Sequence, residues 1–391
     1  MMLLAAAGVL EQSSPMSVLW TAPTILVAAM LIAWAAESAQ FFIAQGFALA
    51  ILAWLQTLPE FAVEAVLAWK QQVPLLMANL TGALRLLTGL GWPMIYFTAT
   101  FFQRRRHGRG LGAIQLHDEH CVEVVGLWAA MAYAGVICAK NTLTVVDAGI
   151  LIAVYIAYLL VLNRMPPVES EHIEQMDAIP RAIVKAPRRI RILAIVGLFA
   201  GGGGLIYLTA EPFLGSLLGV SAALGVPTFV FVQWVAPFVS EFPEKVSAFY
   251  WARTVEGSST AMMNMVSSNI NQWTLLAAML PIVYSWSIGT PTAIHFDHEQ
   301  QMEMLLTLLQ SVLGALFLLD LKIHWWEAAG LFVLWGTQFA LSPVVRTHQI
   351  FIAAYVIWIV VEVARLVLHR RGTAALTQFA AMWKRHVMHA G

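Results

Sequence analysis

The chain alternates long apolar stretches with short polar segments, several of which are strongly basic. An apolar stretch of about 20 residues is long enough to cross a bilayer as a helix. The pattern predicts eleven such membrane spans in the 391 residues. They cover residues 17–36, 39–69, 73–101, 121–139, 145–163, 191–219, 226–252, 259–287, 302–320, 324–342 and 347–368.

Composition agrees with this pattern, because 60% of the residues are hydrophobic and only 11% are charged. The mean hydropathy of +0.74 lies far above that of a soluble globular domain. We therefore expect an integral membrane protein that lies in the lipid bilayer and has no nucleic acid partner. The apolar start of the chain has no basic flank and is predicted to be a short tail rather than a signal peptide.

Basic residues predict the orientation of the spans. The loops at 103–110 and 179–191 are both rich in arginine and are separated by two crossings, so they lie on the same side. Positively charged loops mark the cytoplasmic side. This places the N-terminus outside and the C-terminus in the cytoplasm, most simply across the cell (inner) membrane.

The two halves of the chain repeat one another. The segment "LAWLQTLPEFAVEAVLAWK" in the second span matches "VAPFVSEFPEKVSAFYWAR" in the seventh, about 180 residues later. An asparagine follows each segment after about 20 residues, Asn79 in the first half and Asn264 in the second. Because each unit has five spans, the second inserts upside down relative to the first, as in many secondary transporters.

The predicted fold is therefore an all-α polytopic membrane protein. Two inverted five-helix repeats with broken helices at the midplane are followed by one extra C-terminal transmembrane helix. The domains are the first repeat at 1–163, a basic cytoplasmic linker at 164–190, the second repeat at 191–342, and the extra helix with a basic tail at 343–391.

Each matched segment places a Pro-Glu pair at membrane depth. A charged side chain there costs roughly 2.5 to 3.5 kcal/mol on insertion scales, so Glu60 and Glu244 are expected to face each other or a cation. Pro59 and Pro243 each lack a backbone donor, which breaks the helix and frees a carbonyl oxygen. In a competing interpretation the prolines are ordinary kinks.

The competing interpretation also places the glutamates in fixed ion pairs, Glu241 with Lys245 and Glu64 with Arg85. Together with Glu60 and Glu244 these side chains make four acids and two bases. When all six are ionised, the midplane charge is about minus two, enough for one divalent or two monovalent cations. A further hypothesis is that a tethered base substitutes for one co-transported ion.

At these residues the chain resembles the sodium/calcium exchanger superfamily, the calcium:cation antiporters. That family carries G-T-S-L-P-E and, about 20 residues later, G-N-x-x-G-S-N-I in each half. Here the second half reads "SEFPE" and then "MNMVSSNINQ", and the first reads "QTLPE" and then "ANLTGALRLL". The resemblance implies an antiporter, not an enzyme, that moves Ca²⁺ or another cation against Na⁺ or H⁺ by alternating access without a cofactor.

The resemblance also implies the cation ligands. Glu60 and Glu244 match the two ion-coordinating glutamates and are the metal ligands. The remaining positions that match ligand positions are Gln56, Thr57, Ser240, Glu241, Ser268 and Gln272. The first half departs from the motif at Ala83, Leu84 and Leu87, and Arg85 and Lys245 stand where the family is normally apolar.

Two other functions remain open at this point. The lost ligands of the first half favour a membrane scaffold or sensor that kept the fold without transporting. The motifs "HDEH" at 117–120 and "HFDHE" at 295–299 favour, more weakly, a membrane enzyme with a metal site. The predicted topology puts these two motifs on opposite sides of the membrane, where hydrated loop mouths that gather cations are the simpler interpretation.

The orientation is testable by cysteine labelling in a background with Cys121 and Cys138 replaced by alanine. We expect a membrane-impermeant maleimide to label Thr290→Cys in intact cells and to label Arg109→Cys only after permeabilisation, because the basic loop faces the cytoplasm. Labelling of Arg109→Cys in intact cells would reverse the predicted topology.

Overall fold

The computed structural model describes residues 12–39, 48–164, 176, 178–341, 347–368 and 371–388. The first five helices are α1 Val18–Ala39, α2 Ala48–Gln56, α3 Leu58–Trp69, α4 Val73–Leu86 and α5 Trp92–His107. The next are α6 Cys121–Lys140, α7 Val145–Arg164, α8 Ala178–Lys185, α9 Arg188–Leu224, α10 Thr228–Ser240 and α11 Phe242–Trp251. The last are α12 Val255–Asn271, α13 Ala277–Ile288, α14 His298–Phe317, α15 Trp325–Leu341, α16 Thr347–Val367 and α17 Ala374–Trp383.

Seven helices in the described part of the chain are long and apolar enough to cross a membrane. They are Pro15–Ala39, Val73–His107, Asp118–Lys140, Val145–Arg164, Arg188–Leu224, His298–Asp320 and His348–Val367. The fold is the all-helical arrangement of two inverted repeats with an added C-terminal helix that the sequence predicts. The predicted N-terminal tail up to residue 11, most of the linker before residue 178 and residues 40–47 of the second span lie outside the described residues.

Four of the predicted spans are not among these seven helices, for identifiable reasons. The second span is divided into α2 and α3, and the seventh into α10 and α11. The eighth is rich in serine and asparagine, and it passes from α12 to α13 through the π-helical segment Gln272–Leu276. The tenth is α15, which has 17 residues.

The inverted symmetry is visible in small elements as well. A π-helical segment, Leu87–Gly91, joins α4 to α5 just as its counterpart joins α12 to α13. Four short strands lie in the loops: β1 Ala113–Gln115, β2 Thr142–Leu143, β3 Ile294–His295 and β4 Lys322–His324. Strand β1 pairs antiparallel with β4, and β2 pairs antiparallel with β3. Each pair therefore joins a loop of one repeat to a loop of the other.

Helices α4 and α10, one from each repeat, approach each other very closely. A Cβ atom placed on Gly82 of α4 would lie 1.8 Å from the Gln233 carbonyl oxygen of α10. Small residues of this kind let transmembrane helices approach each other closely. The same explanation applies to Gly202 in the glycine run of α9, where a Cβ would lie 2.8 Å from the Ala28 carbonyl oxygen of α1.

The close crossing predicts that Gly82→Ala greatly reduces the yield of monodisperse protein in detergent. The added methyl group meets backbone that a rotamer change cannot move. Gly203→Ala is the matched control, since no atom lies within 4 Å of its Cβ position. Size-exclusion profiles and melting temperatures measure both variants, and equal behaviour would contradict the proposed contact.

Candidate cation-binding site

The two Pro-Glu segments sit at the breaks between short helices. Thr57 separates α2 from α3, and Glu241 separates α10 from α11. Proline falls in the first turn of both α3 and α11, where a missing backbone N–H costs nothing because the first donors of a helix have no partner within it. Glu60 and Glu244 also lie in those first turns, where the exposed backbone donors favour a negative charge.

A single amide group joins acids from the two repeats. Gln272, at the start of the second π-helical segment, donates from Nε2 to Glu60 Oε2 at 2.7 Å and to Glu241 Oε1 at 2.8 Å. A side-chain NH₂ group carries two hydrogens, so both carboxylates are held at once. All three side chains are buried. The contact therefore lies inside the protein and between the two halves of the chain.

Glu241 is fully partnered within the protein. Its Oε2 lies 2.5 Å from the Lys245 ammonium nitrogen, and its Oε1 accepts from Gln272. Both members of the ion pair are almost inaccessible, with side chains 1% and 6% exposed. The Glu241–Lys245 pair of the competing interpretation is thus present, although it involves only one of the acids near α11.

Glu244 is in the opposite condition. It is buried, and neither of its carboxylate oxygens accepts a hydrogen bond of good geometry from a described residue, although the Ser268 hydroxyl lies beside it. Glu60 Oε1, Gln272 Oε1 and Ser268 Oγ are buried and unpaired in the same sense. An unpaired buried polar group costs about 1 to 3 kcal/mol, and more when it is charged. Such a set of oxygens is what a bound cation or a proton would satisfy.

The other predicted site residues near the helix breaks have partners of their own. Asn79 Nδ2 donates to Glu64 Oε1 at 3.1 Å within the first repeat. Asn264 Nδ2 donates to Gln56 Oε1 at the same distance, which links the second repeat to the first. The hydroxyls of the two break segments donate to backbone carbonyls, Thr57 to Trp54 and Ser240 to Ala236. Their oxygen lone pairs remain available for a cation.

The suggested pair between Glu64 and Arg85 is wrong. Arg85 instead forms an ion pair with Glu303 of α14, with Nη2 and Oε2 2.5 Å apart, and its guanidinium stacks over Trp234 of α10. His348, at the start of α16, lies 2.6 Å from the other Glu303 oxygen. Arg85 has its own acid, so it is removed from the charge count of the site. Four acids against Lys245 alone leave about minus three when all are ionised.

The two histidine motifs do not converge on a metal site. In the part of the chain that the structure describes, no three His, Cys, Asp or Glu side chains are arranged to hold a metal ion. His120 is buried, 3.6 Å from Glu123. The second motif serves the helix start, because Asp297 caps α14 in a reciprocal pair with Gln300. The glutamates at membrane depth also do not form such a cluster of three acids. The other polar groups near them are amides and hydroxyls.

Sequence reasoning did not single out several buried acids, among them Glu303 and Glu37. Glu303 could have been found from the repeat, because it follows Glu123 by 180 residues, on the equivalent helix. Glu37 of α1 accepts a hydrogen bond from Ser247 of α11 at 2.7 Å. Glu37 and Ser247 line one small pocket, and Ser247 follows Glu244 by three residues in α11. The only sequence signal for Glu37 was an acid near the end of an otherwise apolar span.

Comparison with known proteins extends over nearly the whole chain. A family model described as "Sodium/calcium exchanger protein" matches residues 14–163 and 194–342. The crystal structure of the H⁺/Ca²⁺ exchanger CAX is 32% identical, covers 95% of this chain and 92% of its own, and superimposes with a TM-score of 0.86. No curated protein sequence matches the chain.

Two further solved structures share the fold. The sodium-calcium exchanger NCX_Mj is 18% identical, with 83% of this chain and 96% of that chain covered and a TM-score of 0.55. Native YfkE is 14% identical, with 82% and 89% covered and a TM-score of 0.57. At these identities the likeness concerns the fold alone.

The buried Arg85–Glu303 pair predicts a specific pattern of stability. Arg85→Met leaves Glu303 without its main counter-charge, and breaking a buried pair in this way costs roughly 3 to 5 kcal/mol. We expect a markedly lower melting temperature in detergent, with partial recovery in the double variant Arg85→Met/Glu303→Gln. Arg106→Met, an exposed arginine at the end of α5, is the control. A melting temperature of Arg85→Met equal to that of the control would refute the structural importance of the pair.

Proposed function

Because the chain belongs to the sodium/calcium exchanger family, we propose that it is a secondary active antiporter that carries Ca²⁺ or a similar divalent cation in exchange for protons. Glu60 and Glu244 bind the transported cation near the midplane. Alternating access then exposes them to each side of the membrane in turn. The family membership and the fold of its relatives support cation antiport, and the ions themselves are part of the proposal.

One observation carries this proposal. Glu244 has two unpaired carboxylate oxygens and Glu60 has one. These glutamates follow helix breaks in opposite repeats, and Gln272 joins the two breaks by donating to Glu60 and Glu241. A fixed structural network would have satisfied these oxygens with donors of the protein. Groups left unsatisfied at such a cost mark a place where a ligand is expected.

The oxygen set suits a hard divalent cation. Ca²⁺ takes six to eight oxygen ligands from carboxylates, amides, hydroxyls and backbone carbonyls. Glu60, Glu244, Gln272 and Ser268 offer such oxygens, and Thr57 and Ser240 have lone pairs to add. The net charge of about minus three on the four membrane acids and Lys245 exceeds what one monovalent cation would neutralise.

Protons are the favoured counter-ion for two reasons. Buried carboxylates that have lost their cation must be neutralised before they cross an apolar environment, and a proton does this without any further ligands. A solved structure that is 32% identical to this chain is that of an H⁺/Ca²⁺ exchanger. Competition between protons and the divalent cation for Glu60 and Glu244 makes the exchange obligatory.

A non-transporting scaffold or sensor is the second candidate, and one asymmetry favours it. Leu87 opens the first π-helical segment, in the position where Gln272 opens the second. The first repeat thus has an apolar side chain at the counterpart of the bridging amide. The side-chain amide at this position comes from the second repeat alone. The site therefore has fewer oxygen ligands than two matching repeats would provide.

The proposal includes a location and a domain division. The protein resides in the cell (inner) membrane with its N-terminus outside and its C-terminus in the cytoplasm, as the basic loops predict. The first repeat extends to residue 163, the linker to 190 and the second repeat to 342, followed by the added helix and tail. The ranges matched by the family model support this division.

Transport in liposomes tests the function. We expect purified protein to drive ⁴⁵Ca²⁺ uptake against an imposed proton gradient. Glu244→Gln and Glu60→Gln should each reduce uptake to background, because each removes a charged ligand. Glu256→Gln, an exposed acid at the start of α12, is the matched control. Absence of cation flux under both proton and Na⁺ gradients would favour the scaffold, and flux that survives Glu244→Gln would move the site elsewhere.

A further inference from the structure

The second repeat carries a charge pair that the first repeat does not. With the repeats aligned on Glu60 and Glu244, which are 184 residues apart, Glu241 corresponds to Thr57 and Lys245 to Phe61. An acid and a base have thus taken the place of a hydroxyl and an aromatic ring. The two charges lie one helical turn apart, and they cancel each other.

Their contacts separate the two acids near α11 into different roles. Lys245 and Gln272 between them occupy both oxygens of Glu241, whereas Glu244, three residues later, has neither oxygen occupied. Lys245 is itself only 5% exposed. An ammonium group in that setting is held by its carboxylate, because a buried unpaired charge is far more costly than a paired one.

An ammonium group and a bound monovalent cation offer a carboxylate the same thing, one positive charge at contact distance. The ammonium differs in being covalently attached, so it cannot leave with the transported ions. If position 245 were apolar, like Phe61, the carboxylate of Glu241 would require a monovalent cation or a proton of its own at membrane depth.

We propose that the Lys245 ammonium is a tethered cation that takes the place of one exchangeable monovalent cation at Glu241. The proposal rests on the antiporter function and refines its ion specificity. Glu241 then stays neutralised throughout the cycle, and only the remaining carboxylates exchange their cation for protons. Na⁺ has no vacant carboxylate at this position and should not act as a coupling ion there.

The proposal predicts a gain of Na⁺ binding when the tether is removed. In detergent without Ca²⁺, the melting temperature of Lys245→Met should rise with Na⁺ concentration at constant ionic strength, relative to choline. That of the wild type should be unchanged, because ligand binding to the folded state raises its stability. The double variant Glu241→Gln/Lys245→Met, which has a neutral pair as in the first repeat, should lose the response again.

Two controls separate this role from a purely structural one. Lys140→Met breaks another lysine–acid pair, between the last residue of α6 and Asp147 in the first turn of α7, and should show no response to Na⁺. Lys245→Arg keeps the tethered charge and should behave as the wild type. An Na⁺-dependent shift in the wild type, or none in Lys245→Met, would overturn the proposal.

Transport by the same variants gives a second readout, with the membrane voltage clamped. Lys245→Met should acquire Na⁺-dependent Ca²⁺ uptake and change the number of charges moved per Ca²⁺ by about one. Uptake that keeps the wild-type ion dependence and charge ratio would contradict the tethered cation. If the wild type carries no cation at all, the antiporter function fails, while the melting experiment still decides whether Lys245 occupies a cation position.

If Lys245→Met does not fold, Glu241→Gln provides the test, since its uncompensated ammonium should weaken Ca²⁺ binding to the purified protein, and unchanged binding would overturn the proposal.

Discussion

The contact on which the site depends is the bridge from the Gln272 amide to Glu60 and Glu241. Carboxylates in the interior of a membrane protein are stable only when something positive or hydrogen-bonding faces them. The bridge supplies a donor to one oxygen of each acid and fixes the distance between acids of opposite repeats. Glu60 and Glu241 lie at the two helix breaks, and Gln272 opens the second π-helical segment, so the three irregular segments of backbone meet at this contact.

The repeats share a backbone plan but have diverged in chemistry. Both have a broken helix, a glutamate in the first turn after the break, and a π-helical segment in the following span. Their side chains then differ: the first repeat adds Arg85, which Glu303 of α14 neutralises, and the second adds Lys245, which Glu241 neutralises. Each added base is matched by an acid within reach, so the fold tolerates both. Symmetry of the backbone therefore does not require symmetry of the ion site.

The sequence predicted the architecture well and the pairing of charges less well. Pro-Glu within an apolar run is a local signal, and its repetition in both halves located the helix breaks and the two glutamates. The partner of Lys245 was also local, because Glu241 lies four residues away on the chain. The predicted partner of Arg85 was wrong, because its actual partner is more than 200 residues away on α14 and no spacing rule reaches that far. The Gln272 bridge was hidden for the same reason, although the residue itself was found through its family position.

The strand pairs in the loops have a mechanical consequence. Strand β1 pairs with β4, and β2 with β3, so backbone hydrogen bonds connect the two repeats at two separate sets of loops. In the inverted arrangement these two strand pairs face opposite sides of the membrane. A rocking motion of one whole repeat against the other would have to break one strand pair each time the protein opened. Helices α1 and α9 pack along each other, and neither strand pair involves them, so a movement of these two helices together would leave both strand pairs intact.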